Sequence, residues 1–251
     1  MQMTLLMDSN QLIHAYWHIK PDPDDVVERY LSRLTRIKQY FSRRIPNLQC
    51  VAVFDREGDS YRKIILPEYK SNRTRNESIQ IAVNHAYEAV MASQGWMGIM
   101  APECYEADDV IATLSAMCAQ KGKVVIHSSD KDYRQCLKNG VVSLCTKSEV
   151  DEEGNLKLTY FTTESLVDGY GITPDRWVDY QCFVGDSSDN IKGADGIGHV
   201  GAKRLLEEHP GDIRSIDPSN HDWLSKRQVE GLEDMKRRLA ILRCLLTLQT
   251  L

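Results

Sequence analysis

Thr4-Leu5-Leu6-Met7-Asp8 is a short apolar run that closes on a carboxylate, and the pattern recurs twice. Cys50-Val51-Ala52-Val53-Phe54 runs into Asp55, and Val124-Val125-Ile126-His127-Ser128-Ser129 runs into Asp130. Continuous apolar runs of this length read as strands buried on both faces, as in a parallel sheet. Ligands of such sheets bind beyond the carboxyl ends of the strands. Three strands that each finish on Asp would therefore aim three negative charges at one place. Like charges in a cleft repel and desolvate one another. The counter-charge that suits an oxygen-only set is a hard divalent cation, Mg²⁺ or Mn²⁺.

Between these strands the apolar residues take helical spacing. Asp24 to Arg44 places Val27, Tyr30, Leu31, Leu34, Ile37 and Phe41 on one face, and Ile79 to Met91 repeats the pattern up to Gly95. A short strand is expected around Met97–Ala101, and a helix from Glu106 towards Gln120, stopped by Gly122. Val150–Asn155 reads as a hairpin turn. Strands alternating with helices predict an α/β fold, with a mainly parallel central sheet and helices on both faces. From Thr162 onward the chain reads as helical, including Pro174–Phe183 and Gly201–Glu208. The expected division is 1–161 for the α/β domain and 162–251 for a helical subdomain.

A lone Asp is usually a solvated surface residue or a helix cap. The acids here come in groups. Glu106 and Asp109 share a helix face with Asp108 in the same first turn, Asp130 and Asp132 bracket Lys131, and Asp186 and Asp189 bracket two serines after Gly185. Two such groups suit a two-metal site, whose ions sit about 3.5–4 Å apart and clamp an in-line displacement at phosphorus. No His or Cys stands at ligand spacing beside them, which disfavours zinc.

Downstream, Gly193-Ala194-Asp195-Gly196-Ile197-Gly198-His199-Val200-Gly201-Ala202-Lys203 places glycines in a turn before a helix. No strand precedes it, so it is no dinucleotide fingerprint; its exposed backbone amides could hold a phosphate without reading sequence. A turn of this kind is more often only a turn, but its closeness to Asp186 and Asp189 favours the functional reading.

The net charge is −5, yet with the nine candidate acids set aside the remainder is mildly basic, which is compatible with a phosphate polymer as substrate. Seven cysteines form no Cys-x-x-Cys pair, so reduced, packed thiols and a cytoplasmic setting are expected. No apolar run approaches membrane-spanning length.

These segments resemble the flap endonuclease / 5′→3′ exonuclease family, which includes the 5′-nuclease domain of bacterial DNA polymerase I. The matches are Leu-Leu-Met-Asp (5–8), Val-Phe-Asp (53–55), Tyr-Lys-Ser-Asn-Arg (69–73), Tyr-Glu-Ala-Asp-Asp-Val (105–110), Ser-Asp-Lys-Asp (129–132) and Val-Gly-Asp-Ser-Ser-Asp-Asn-Ile (184–191), in the family's order.

The resemblance implies a PIN-like nuclease domain with a helical arch over about residues 70–102, and a helix–three-turn–helix in the C-terminal subdomain. It also implies metal-dependent cutting of DNA at 5′ flaps, nicks and ends. Asp55, Glu106, Asp108, Asp109 and Asp130 would hold one ion with Asp8 close by; Asp132, Asp186 and Asp189 would hold the second. Lys70 and Arg73 match a basic pair that contacts the scissile phosphate, where preorganised charge matters most. Arg62 would hold the single-stranded side; Lys63 and Arg75 read as solvated. The glycines at 196, 198 and 201 with Lys203 would grip the duplex. The carbonyls of Phe183, Val184, Lys192, Ala194 and Ile197 match a potassium site. RNA–DNA hybrid is a further possible substrate, and a monomer is expected.

The family commonly has Asp-Gly followed by an aromatic-Arg pair where this chain has Asp8-Ser9 and His14-Ala15. His14, Tyr16 and Trp17 are the candidates for the missing contact. No polymerase domain follows, and Met1 and the end at Leu251 favour a stand-alone enzyme. Two rivals are a PIN-type ribonuclease, which does not explain the glycine turn, and a non-catalytic DNA-structure-binding relative, which would be missing acids.

Overall fold

Leu5, Leu6 and Met7 are fully buried and lie in the strand around which the sheet is built. A computed structural model describes residues 2–73 and 76–251. Along the chain run β1 (Gln2–Asp8), α1 (Ser9–Ile19), α2 (Pro23–Ser42), β2 (Asn47–Phe54), α3 (Tyr61–Ile65), α4 (Glu77–Ala92), β3 (Met97–Met100), α5 (Ala107–Cys118), β4 (Lys123–His127), β5 (Val142–Val150), β6 (Leu156–Phe161), α6 (Thr163–Tyr170), α7 (Trp177–Val184), α8 (His199–Glu208) and α9 (Lys226–Leu246). They form two compact units. The first holds the described residues up to Ser60, then 76–164 and 249–251; the second holds 61–73 and 165–248.

In the first unit the sheet order is β3-β2-β1-β4-β5-β6, parallel throughout except for β6. β1 lies between β2 and β4, so chain order reverses beside it. That reversal is where α/β sheets open a ligand crevice. The register pairs Asp8 with Val53 and Met7 with His127, which brings the ends of these strands level. Tyr30 of α2, Phe54 of β2 and Tyr87 of α4 meet edge-on, with ring centroids 6.0 and 5.4 Å apart. Asp151 and Asn155 close the expected hairpin between β5 and β6.

Much of the span expected to form an arch belongs instead to this unit's core. Ala82, Val83, Ala86 and Val90 of α4 are buried, and β3 pairs with β2. Burial of that apolar stripe makes α4 a packing helix. α1 was not anticipated. β4 also stops at His127, three residues short of Asp130, which caps the following turn of 3₁₀ helix. Arg75 lies outside the described residues.

In the second unit, α9 presents Leu232, Met235, Leu239, Leu242, Leu245 and Leu246 as a buried face, and α7 supplies Trp177, Tyr180 and Phe183. Ser225 caps α9 reciprocally with Gln228, a capping box.

Candidate metal centre and phosphate-binding elements

In the first unit, Asp8 closes β1 and caps α1, accepting from the Gln11 backbone N–H at 3.1 Å. Its other oxygen accepts from Ser128 Oγ at 2.8 Å. Ser128 Oγ also accepts the Asp130 backbone N–H at 3.0 Å, so one hydroxyl links the ends of β1 and β4. Asp55 accepts from the Ala107 N–H at 2.6 Å, at the N-terminus of α5, where the helix dipole favours an anion. The Asp55 N–H is held by Asn10 Oδ1 at 2.8 Å. Asp130 accepts the Asp132 N–H at 2.9 Å. Asp108 accepts a hydrogen bond from the buried Tyr133 hydroxyl.

The electrostatics show these acids converging. Burial, with smaller contributions from the Asp55 and Asp130 charges, pushes Asp8 up to about 7 against two hydrogen bonds that oppose the shift. Burial, then Asp108, Asp8 and Asp130 among other contributions, holds the Tyr133 phenol well above its usual range. The Cys136 thiol is pushed up to about 12 by burial, then by Asp108 and Asp132. A set of oxygen donors whose charges raise one another's proton affinity fits a hard divalent ion, which would lower that repulsion.

Asp109, next to Asp108 in the first turn of α5, is held by backbone amides. It is fully buried, with Oδ1 accepting the Gln249 N–H at 2.8 Å and Oδ2 accepting the Glu106 N–H at 3.3 Å. Glu106 itself is half-buried at the α5 N-cap.

In the second unit, residues 186–191 form a tight loop: the Asp186 and Ile191 backbones bond each other in both directions at 2.7 Å. Asp186 Oδ1 accepts Ser188 N and Oγ at 2.9 and 2.6 Å. Asp189 Oδ2 accepts from Tyr69 Oη at 3.0 Å and lies 3.9 Å from Lys70 Nζ; Oδ1 takes Arg73 Nη2 at 2.5 Å. Burial raises the Asp189 carboxyl above its ordinary range, opposed by Lys70 and Arg73. Lys70 adopts a left-handed φ of 52°, and its N–H reaches the Asp189 carbonyl at 2.9 Å. That conformation is strained for a side-chain-bearing residue. Thus the sequence-selected Lys70, Arg73 and Asp189 come together, with Tyr69 as a partner that residue type alone did not reveal.

Arg62 is placed otherwise than expected. It is 2% exposed, and it donates from Nε to the Leu245 carbonyl at 2.8 Å and from Nη2 to the Thr247 carbonyl at 3.3 Å. These are carbonyls at the end of α9, which lack helical partners, so Arg62 ties α3 to α9 rather than facing a nucleic-acid strand.

The glycine turn leads into α8 with Gly198 as its N-cap, and a Cβ there would meet nothing within 4 Å. Lys203 is partly exposed and lies over Gly171, with Glu207 3.8 Å away. A cavity of about 340 Å³ is lined by Val184, Ser187, Asn190 and residues 191–196. On α1, His14 is exposed, whereas Tyr16 and Trp17 pack against the core and Tyr16 Oη accepts from Arg33.

Ser128, Asn10 and Tyr133 were missed by sequence reading. Only the Ser-Ser-Asp step before Asp130 carried a signal, as a capping pattern.

Comparison with known proteins agrees with this architecture. A family model described as the 5′-3′ exonuclease N-terminal resolvase-like domain matches residues 3–171, and one described as the 5′-3′ exonuclease C-terminal SAM fold matches 172–251. A 5′-3′ exonuclease of Mycoplasmopsis pulmonis is 29% identical over 97% of this chain and 80% of its own length. DNA polymerase I of Deinococcus radiodurans is 33% identical over 75% of this chain, which spans only 19% of that polymerase. Among solved structures, the T5 D15 protein co-crystallised with metal ions superposes with a TM-score of 0.77 at 18% identity, covering 98% of this chain and 90% of that one. A T5 D15 flap endonuclease complex with DNA and metal ions gives 0.70 at 18% identity, covering 98% and 89%. By the two family models that together span residues 3–251, the chain belongs to the 5′-3′ exonuclease family and is a nuclease.

Proposed function

We propose that the protein is a structure-specific 5′ nuclease that uses divalent metal to hydrolyse DNA phosphodiesters near 5′ flaps, nicks and ends. The observation that carries this is the convergence of Asp8, Asp55, Asp108 and Asp130 at the carboxyl ends of β1, β2 and β4 and the start of α5. On the family resemblance, these acids with Glu106 and Asp109 are assigned to one Mg²⁺ or Mn²⁺ ion. Asp132, Asp186 and Asp189 are assigned to a second ion on the same resemblance.

Bound metal would supply an activated water and stabilise the departing oxygen. The chain's own groups do the rest. Ser128 and Gln11 orient Asp8, and the α5 N-terminus fixes Asp55. Lys70 and Arg73, now spending their charge on Asp189, would turn it to the phosphoryl oxygens of the substrate. The amides around Gly196, Gly198 and Gly201, with Lys203, would hold duplex phosphates without reading bases.

The enzyme would act as a monomer in the cytoplasm; all seven cysteines are free, and among the described residues no helix is long and apolar enough to cross a membrane. RNA–DNA hybrids would be a secondary substrate.

The experiment is cleavage of a 5′-labelled flap duplex with Mg²⁺, with Mn²⁺ and with chelator. Release of short 5′ fragments in both metals and not in chelator is expected. Cleavage of RNA alone would replace the proposal with a ribonuclease, and metal-independent binding without cutting would replace it with an inert DNA-binding relative.

A further inference from the structure

α9 grips the glycine turn from one side along much of its length. Arg238 donates from Nη1 to the Lys192 carbonyl at 2.9 Å and from Nη2 to the Gly193 carbonyl at 3.0 Å. Its Nε is steadied by Asp234 Oδ2 at 2.9 Å, one helical turn away. Nearer the start of the helix, Arg227 takes both oxygens of Asp195 at 2.8 and 2.9 Å, and Gln228 Nε2 reaches the Gly196 carbonyl at 3.0 Å. Gly231 allows this approach, since a Cβ there would stand 2.3 Å from the Asp195 carbonyl oxygen.

Three of the five main-chain carbonyls matched to a potassium site already have a partner within the chain. Phe183 O already accepts Ala194 N at 2.7 Å, Ala194 O accepts Ile197 N at 3.1 Å, and Lys192 O faces a guanidinium. Carbonyl dipoles gathered in a turn attract a cation because they replace its hydration shell. Here a fixed positive charge meets two consecutive carbonyls, of which Lys192 O belongs to the matched set, and a mobile ion beside that oxygen would be repelled by it. An arginine fork also holds two acceptors at defined angles, which a point charge does not.

We propose that Arg238 is the resident cation of this turn. It is a positioning residue that fixes residues 192–196 so that the following glycines and the start of α8 meet duplex phosphate with no bound monovalent metal. The inference rests on the duplex-gripping role given to the turn above.

The test is fluorescence anisotropy of a labelled nicked duplex with Ca²⁺ in place of Mg²⁺, in potassium, lithium or tetramethylammonium chloride at one ionic strength. Holding ionic strength fixed removes the common counterion effect, so affinities within about twofold across the three salts are expected. A loss of about tenfold on replacing potassium would overturn the proposal. Arg238→Gln is expected to weaken duplex binding at least about fivefold while leaving single-strand binding unchanged; unchanged duplex affinity in a folded variant would also overturn it. If the variant does not fold, the comparison of salts on the natural protein still decides. Absence of duplex binding in every salt would instead remove the duplex-gripping role, and the proposal with it.

Discussion

Ser128 Oγ donates to Asp8 Oδ2 at 2.8 Å, and the same oxygen accepts the Asp130 N–H at 3.0 Å, so a single hydroxyl sets two carboxylates at neighbouring strand ends. Removing it leaves Asp8 buried with less support for its charge and frees the Asp130 turn. Ser128→Ala is therefore expected to raise the Mg²⁺ concentration for half-maximal cleavage by about tenfold, on the order of one charge-assisted hydrogen bond. A metal titration of flap cleavage measures this, and an unshifted midpoint would mean that Ser128 does not orient the site.

The Asp8 carboxyl, raised to about 7 chiefly by burial, predicts a pH dependence of stability in metal-free protein. Its folded value lies above the ordinary carboxylate value, so the folded state binds the extra proton between about pH 4 and pH 7. The contribution is fully present below the unfolded value and is lost as pH rises through the folded one. Thermal melts in chelator should therefore show Tm falling from pH 5 to pH 8, and saturating Mg²⁺ should recover most of the loss at pH 8. A metal-free Tm that rises over that interval would contradict the burial that holds the Asp8 carboxyl up.

Lys70→Met should cut turnover by about a hundredfold or more while changing duplex affinity only a few-fold, because its charge is needed where the phosphoryl oxygens gain charge. Single-turnover cleavage and anisotropy separate the two effects. Equal losses in both would make Lys70 a binding residue only.

Arg62→Ala should destabilise the fold by about 2–4 kcal/mol, because it strands the Leu245 and Thr247 carbonyls and leaves a hole beside α9. Chemical denaturation reports the loss. Flap affinity measured well below the melting temperature should stay within about twofold of the parent; a large fall in affinity with unchanged stability would restore Arg62 to the nucleic-acid surface.

The sheet was legible because Leu5, Val53 and Val125 belong to continuous apolar runs, and a run buried on both faces leaves no other reading. The acids were legible because carboxylates at strand ends are costly without a purpose. α1 was not, since Asp8 both caps it and serves the acidic site, and the first reading hid the second. Arg62 was misread for a different reason. Its neighbours Ile64 and Ile65 are exposed while the arginine is buried, the reverse of what residue type suggests, and only the distant carbonyls of 245 and 247 explain it. Arg238 lies more than forty residues from the carbonyls it holds, with no local spacing to announce the contact.

Asp186→Asn keeps an Oδ1 that can accept from Ser188 N and Oγ, as well as the backbone bonds of the tight 186–191 loop, while removing a charge assigned to the second ion. The variant should bind flap duplex in Ca²⁺ within about threefold of the parent and show at least a thousandfold slower cutting in Mg²⁺, the scale on which loss of a transition-state contact is felt. Retained cutting would take Asp186 out of the metal shell.

Whether the carboxylates hold divalent cations is tested most directly by anomalous scattering from a crystal soaked in Mn²⁺. Two peaks about 3.5–4 Å apart are expected, one of them within direct bonding distance of the acids at the ends of β1, β2 and β4. A well-ordered map with no anomalous peak beside Asp8, Asp55, Asp108 or Asp130 would contradict metal binding by these acids.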